Sequence, residues 1–151
     1  MSRSIASTHT GSLPRPDDLI QLMWAVGDGI PVDQAALDAR IGTAVTEMVT
    51  QQVAAGVTVV NDGEMSKPSY ATYVKDRLSG FDGESVQNYH FQDLVDFPRS
   101  AERVADNPGR RKRAAPACTS AIGVKDPEAA VRDMVELTRA AKEQGATQIF
   151  S

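Results

Sequence analysis

Cysteine is nearly absent: Cys118 is the only one in 151 residues. One thiol cannot close an internal disulfide or build the multi-cysteine cluster of a structural zinc site. Positive charge is not in excess either. The formal net charge of -4 argues against a sequence-independent nucleic-acid surface, which needs clustered Lys and Arg on a basic domain. No apolar run is long enough to span a bilayer, and no charged-then-apolar leader opens the chain, so neither a membrane span nor a secretory signal is expected. The expected address of such an acidic, soluble chain is the cytoplasm. Neither a GxGxxG nor a GxxxxGK pattern occurs, which removes the sequence warrant for nucleotide binding. What is present is enough apolar material, 41% of residues, to bury the core of one domain.

The clearest periodicity lies between Asp33 and Ala55. Leu37, Ile41, Val45, Met48 and Val53 recur at three- to four-residue steps, which predicts an amphipathic helix stopped by Gly56. Val57 to Val60 then form a β-branched run ended by Asn61, Asp62 and Gly63, as expected of a strand covered on both faces. A second unit of this kind closes the chain: Asp126 caps a helix begun by Pro127 and ended by Gly145, followed by a strand over Ala146 to Phe150. Ile5 to Thr8 reads as a first strand, and Ala114 to Gly123 as a further one in which Pro116 is confined to the start or edge. A helix is expected near Tyr70 to Leu78.

These repeats predict an α/β protein with parallel strands. Residues from about 80 to 113 break the pattern and read as an insertion, with a hairpin in Ser85 to Val95 and a short helix around Phe97 to Ala105. A closed eight-stranded α/β barrel takes about 250 residues, so the chain is expected to supply roughly half of a (β/α)8 TIM-type barrel. The last strand would then be covered by a second copy of the chain or by a missing carboxyl-terminal half.

Three polar clusters follow expected strands: Thr8 to Ser12, Asn61 to Glu64, and Cys118 to Ser120. In parallel α/β folds that is the ligand-binding end. In "THTGS", Gly11 permits close backbone approach, and the amides of Gly11 and Ser12 with the Ser12 hydroxyl can accept a carboxylate. The same residues also suit a plain turn with satisfied Ser and Thr side chains. His9 is an acid, base or ligand candidate, but without a second His or Cys at ligand spacing it reads better as a hydrogen-bonding loop residue. In "NDGE", Glu64 is placed to pair with a ligand ammonium or to move a proton, whereas Asp62 suits a structural, helix-capping role. Cys118 reads as a small core residue. The run Arg110 to Arg113 is either an anion site or a solvated loop.

Three stretches, "THTGSLPRP", "AAGVTVVNDGEMSKPSYATYVKDRLSGF" and "DPEAAVRDMVELTRAAKEQGATQIFS", together resemble the cobalamin-independent methionine synthase family, and more closely its single-barrel relatives. The resemblance implies that residues 1–151 are the amino-terminal half of a methionine synthase-like barrel. It implies a methyl or alkyl transfer from a methylfolate-like donor to an amino-acid thiol such as homocysteine. Carried over to this chain, Gly11 and Ser12 match the turn that holds the amino-acid carboxylate, and Glu64 matches the acid that pairs with its ammonium; His9 and Asp62 flank them. The family's catalytic zinc is also implied, but its His-x-Cys pair and later Cys belong to the second half. Cys118 and His90 do not reproduce their spacing, so no metal ligand is assigned in this chain. Other expectations are a thiol-dependent epoxide-opening or decarboxylase-like relative, and a non-catalytic half-barrel that binds or assembles.

Overall fold

A computed structural model of the chain describes residues 5–69, 73–82, 91–105 and 116–151. The chain divides into two compact units, Met1–Ser69 with Asp126–Ser151, and Tyr70–Lys125.

In the first unit, helix α1 spans Asp17–Gly27, beginning where the Pro14 and Pro16 pair ends. Asp17 and Asp18 in its first turn complement the helix dipole. Helix α2, Gln34–Ala54, is capped by the Asp33 carboxylate, which accepts the amides of Ala35 at 2.9 Å and Ala36 at 3.3 Å. Its end follows the expected stop, with Val57 N–H reaching back to the Gln52 carbonyl at 3.0 Å across Gly56. Leu19 and Met23 of α1 and Leu37, Val45, Met48 and Val49 of α2 bury the apolar faces of both helices. They pack with Val60, Met65 and the residues Leu137, Ala140 and Ala141. Burying each large aliphatic side chain is worth about 1.5–3 kcal/mol, so this cluster holds the unit together.

The second unit contains helix α3 (Val74–Arg77), strand β1 (Leu78–Asp82), helices α4 (Gln92–Asp96) and α5 (Pro98–Ala105), and strand β2 (Ala117–Val124). β1 and β2 pair antiparallel, Leu78 opposite Val124 and Asp82 opposite Ala117, with a bulge between Ser79 and Phe81. Gly80 sits at that bulge with φ 87°, and a Cβ there would stand 2.7 Å from the carbonyl oxygens of Ser120 and Ala121. Only glycine fits so close to the partner backbone. Helix α6, Glu128–Glu143, returns the chain to the first unit. Asp126 accepts the Glu128 amide at 3.1 Å, so the capping carboxylate is the expected one and the helix starts one residue later than the sequence suggested.

The expected half of a (β/α)8 barrel is not what this chain forms. Among the described residues the named strands make a single two-stranded antiparallel sheet, without barrel-type parallel β/α repeats. Three segments expected to be parallel strands meet only at isolated bridges, Thr8 with Val59 and Val60 with Ile149. The physical reason is local. The Thr58 hydroxyl takes Ser7 N–H at 2.7 Å, a donor that a continued ladder would use, while the Ser7 carbonyl accepts Val59 N–H at 3.0 Å in the single bridge. Only Val60 of the Val57 to Val60 run is buried, so the run is not covered on both faces. Among the described residues no long helix follows it: residues 63–66 form a turn, and α3 has four residues.

Further differences concern the second unit. The strand expected over Ala114 to Gly123 pairs antiparallel with β1 rather than joining a parallel set. Gln92–Asp96, expected within a hairpin, is helical. The helix near Tyr70 to Leu78 shrinks to Val74–Arg77, with residues 70–72 outside the described ones. The short helix expected around Phe97 to Ala105 is present as α5. The remainder of the expected hairpin, His90 and Arg110 to Arg113 also lie outside the described residues. No described helix is long and apolar enough to cross a membrane.

Candidate functional site

The loops 9–15 and 61–67, both in the first unit, are stitched together at four points. Asn61 Nδ2 donates to the His9 carbonyl at 2.5 Å, and Leu13 N–H donates to the Gly63 carbonyl at 3.0 Å. The Ser12 hydroxyl donates to the Glu64 carboxylate. Arg15 Nη2 donates to the Glu64 carbonyl at 2.7 Å and to the Lys67 carbonyl. Ser12 and Glu64, expected to share a ligand, are therefore in direct contact.

The base of the site is rigid for reasons traceable to individual side chains. Gln52 of α2 is buried and bonds both backbone groups of Asn61: its Nε2 donates to the carbonyl at 2.8 Å, and its Oε1 accepts the amide at 3.1 Å. Leaving such buried peptide groups unpaired costs about 1–3 kcal/mol each. Asn61 Oδ1 in turn accepts Gly63 N–H, and Asp62 Oδ1 accepts Glu64 N–H, both at 2.9 Å. These side-chain-to-backbone bonds shape a turn of the kind that Asn and Asp favour. Gly63 has φ 61°, and a Cβ on it would meet Met48, Leu13 and Met65 at 3.0–3.1 Å. The turn can lie against the core only because that Cβ is missing.

Glu64 follows with φ 58°, the one non-glycine residue at positive φ among those described. Its carboxylate, half-buried, meets the exposed Ser12. The Gly11 and Ser12 amides make no hydrogen bond among the described residues and lie at an exposed turn. His9 donates from Nε2 to the Gly11 carbonyl at 3.0 Å, since a carbonyl can only accept. That bond constrains the turn carrying those amides.

Asp62, expected in a helix-capping role, is instead buried and caps no described helix. Its Oδ2 pairs with Lys67 Nζ at 2.8 Å, and Lys67 also lies 3.8 Å from Asp133 of α6. Ser66 donates to the other oxygen of Asp133 at 2.9 Å. A partly buried ion pair of this type is costly to break from one side, because the remaining charge is left poorly solvated. The Asp62, Lys67 and Asp133 group ties the Glu64 turn to α6.

Sequence reasoning missed Arg15, Gln52, Lys67 and Asp133. Only Arg15 carried a usable signal, a guanidinium between two prolines beside the polar turn. Cys118, expected in the core, is exposed on β2. Among the described residues no three His, Cys, Asp or Glu side chains converge to hold a metal ion. The described donors do not fit the zinc that the resemblance implies. No family model matches the chain, and no curated protein matches it.

Proposed function

We propose that the first unit binds the amino-acid end of a thiol substrate, in the service of a methionine synthase-like transfer of a methyl or alkyl group to that thiol. The observation that carries this reading is the contact between the Ser12 hydroxyl and the Glu64 carboxylate beside the exposed Gly11 and Ser12 amides. Anion acceptors and a carboxylate side by side are complementary to a zwitterion. A ligand carboxylate takes the two amides and the Ser12 hydroxyl. The ligand ammonium takes the Glu64 oxygen that Ser12 occupies in the free protein. The exchange puts a cation in place of a hydroxyl on the Glu64 carboxylate and turns the Ser12 hydroxyl to the ligand carboxylate, so both charged ends of the ligand make charge-assisted bonds.

These residues bind and orient; none of them is assigned to activate the thiol. The donor is expected to be methylfolate-like, with homocysteine as the reference acceptor. A second reading, a binding or assembly module, draws on the exposed Ile122 and Val124 of β2 and Phe91 and Phe97 around α4.

Calorimetry with L-homocysteine tests the first reading. Binding should weaken about tenfold or more in Glu64→Gln, which removes the charge facing the ammonium, and less in Ser12→Ala. Homocysteine affinity equal to that of the unaltered chain in both variants would refute it. Absence of binding combined with concentration-dependent self-association would favour the module.

A further inference from the structure

We infer that Arg15 is the positioning residue that holds Glu64 in its left-handed backbone conformation and thereby keeps its carboxylate beside Ser12. The inference rests on the amino-acid-binding reading of those two residues. Positive φ is uncommon for a residue with a Cβ, and Glu64 has φ 58°. A residue kept in such a conformation needs partners on both sides. On its amide side Asp62 Oδ1 accepts the Glu64 N–H at 2.9 Å. On its carbonyl side two donors converge, Lys67 N–H at 2.9 Å and Arg15 Nη2 at 2.7 Å.

The same Arg15 nitrogen also donates to the Lys67 carbonyl, so one guanidinium spans both ends of the turn 64–67. The reach of this side chain is set by its neighbours. Pro14 and Pro16 each fix φ near the usual proline value, and a residue before proline is confined to extended backbone, which applies to both Leu13 and Arg15. The stretch that presents Ser12 to the carboxylate is therefore the one that delivers the guanidinium to the carbonyls behind it. Both bonds come from the two N–H groups of Nη2, held in the guanidinium plane; a lysine ammonium, a compact charge on a shorter flexible stem, does not reproduce that placement. Without Arg15 the Glu64 carbonyl keeps the Lys67 N–H bond alone among the bonds described. Residue 64 then relaxes toward negative φ, which redirects its Cβ and carries the carboxylate away from Ser12.

The experiment compares the full chain with Arg15→Ala and Arg15→Lys by backbone NMR and by calorimetry with L-homocysteine. Couplings of residue 64 that report the sign of φ should move to negative or averaged values in Arg15→Ala and to intermediate ones in Arg15→Lys. The amide shifts of Val60 and Phe150, which mark the bridged segments, should stay in place. Homocysteine affinity should fall roughly tenfold in Arg15→Ala and less in Arg15→Lys. Positive φ retained at residue 64 in Arg15→Ala overturns the inference. If that variant does not fold, unchanged couplings and affinity in Arg15→Lys overturn it. Should the unaltered chain bind no homocysteine, the functional reading fails, while the couplings still decide the role of Arg15.

Discussion

The first unit and the second are held together by different means. In the first, Leu19, Val49, Val60, Met65 and Leu137 are fully buried and share one cluster with other apolar residues of α1, α2 and α6. In the second, no described side chain is buried, and Ile122 and Val124 on β2 are more than half exposed. Its organisation depends on the β1 and β2 backbone ladder and the tight crossing at Gly80. Two-stranded sheets without a covered face are marginal in water. The contrast teaches that the candidate site is a property of the first unit alone, since Ser12, Arg15, Asn61, Asp62, Glu64 and Lys67 all belong to it.

The strongest way to break this contrast is to remove equivalent apolar groups from each unit. Leu137→Ala should cost about 3–5 kcal/mol in urea unfolding, because a fully buried leucine leaves a cavity. Ile122→Ala, at an exposed strand position, should stay within about 0.5 kcal/mol. Similar losses in the two variants would show that the second unit also has a sealed core.

Gly80→Ala sharpens the same contrast from the other side. The added Cβ meets two carbonyl oxygens at 2.7 Å and the backbone is at φ 87°, so a local penalty of about 2 kcal/mol or more is expected. Hydrogen exchange should accelerate across Ala117–Val124, with protection of α2 and α6 unchanged. Loss of protection in α2 as well would mean that the two units unfold together.

The smallest effect concerns surface charge in the first unit. The Arg40 guanidinium holds the Asp18 carboxyl below the usual aspartate range, and Arg132 does the same for Asp126. An unfolded aspartate takes up its proton near pH 3.9, roughly the ordinary value. The stabilisation from both pairs is therefore complete above that pH and is lost as pH falls toward the lower folded values. Both carboxyls are exposed, so the acid-induced loss should be slight. Asp18→Asn with Asp126→Asn should flatten the stability profile below about pH 4, and an unchanged profile would remove these pairs from the account.

Helices α2 and α6 of the first unit were legible because their signals are local, whereas α1, Asp17–Gly27, was not expected. Asp33 and Asp126 cap within three residues, and Gly56 and Gly145 stop their helices within one turn. The strands were not legible to the same degree. Val57 to Val60 has β-branched composition, yet whether such a run extends into a ladder depends on what Ser7 and Gln148 offer it. The partner of Ala117–Val124 was equally hidden, because antiparallel pairing with Leu78–Asp82 is decided by two segments far apart in the chain. At the candidate site, Ser12 and Glu64 stood out as polar groups following apolar runs. Arg15 did not, since the carbonyls it bonds lie 49 and 52 residues away.

The sequence by itself determined which residues cap and stop α2 and α6 and which residues carry polar chemistry at the two loops, because caps, stops and periodicity act over a single turn. Only the tertiary structure decided that the extended segments meet at single bridges rather than in a barrel, that β1 and β2 run antiparallel, and that Arg15 braces Glu64. Those outcomes depend on burial and hydrogen bonds between distant segments, and their free energy is set by competition among partners that no local pattern records.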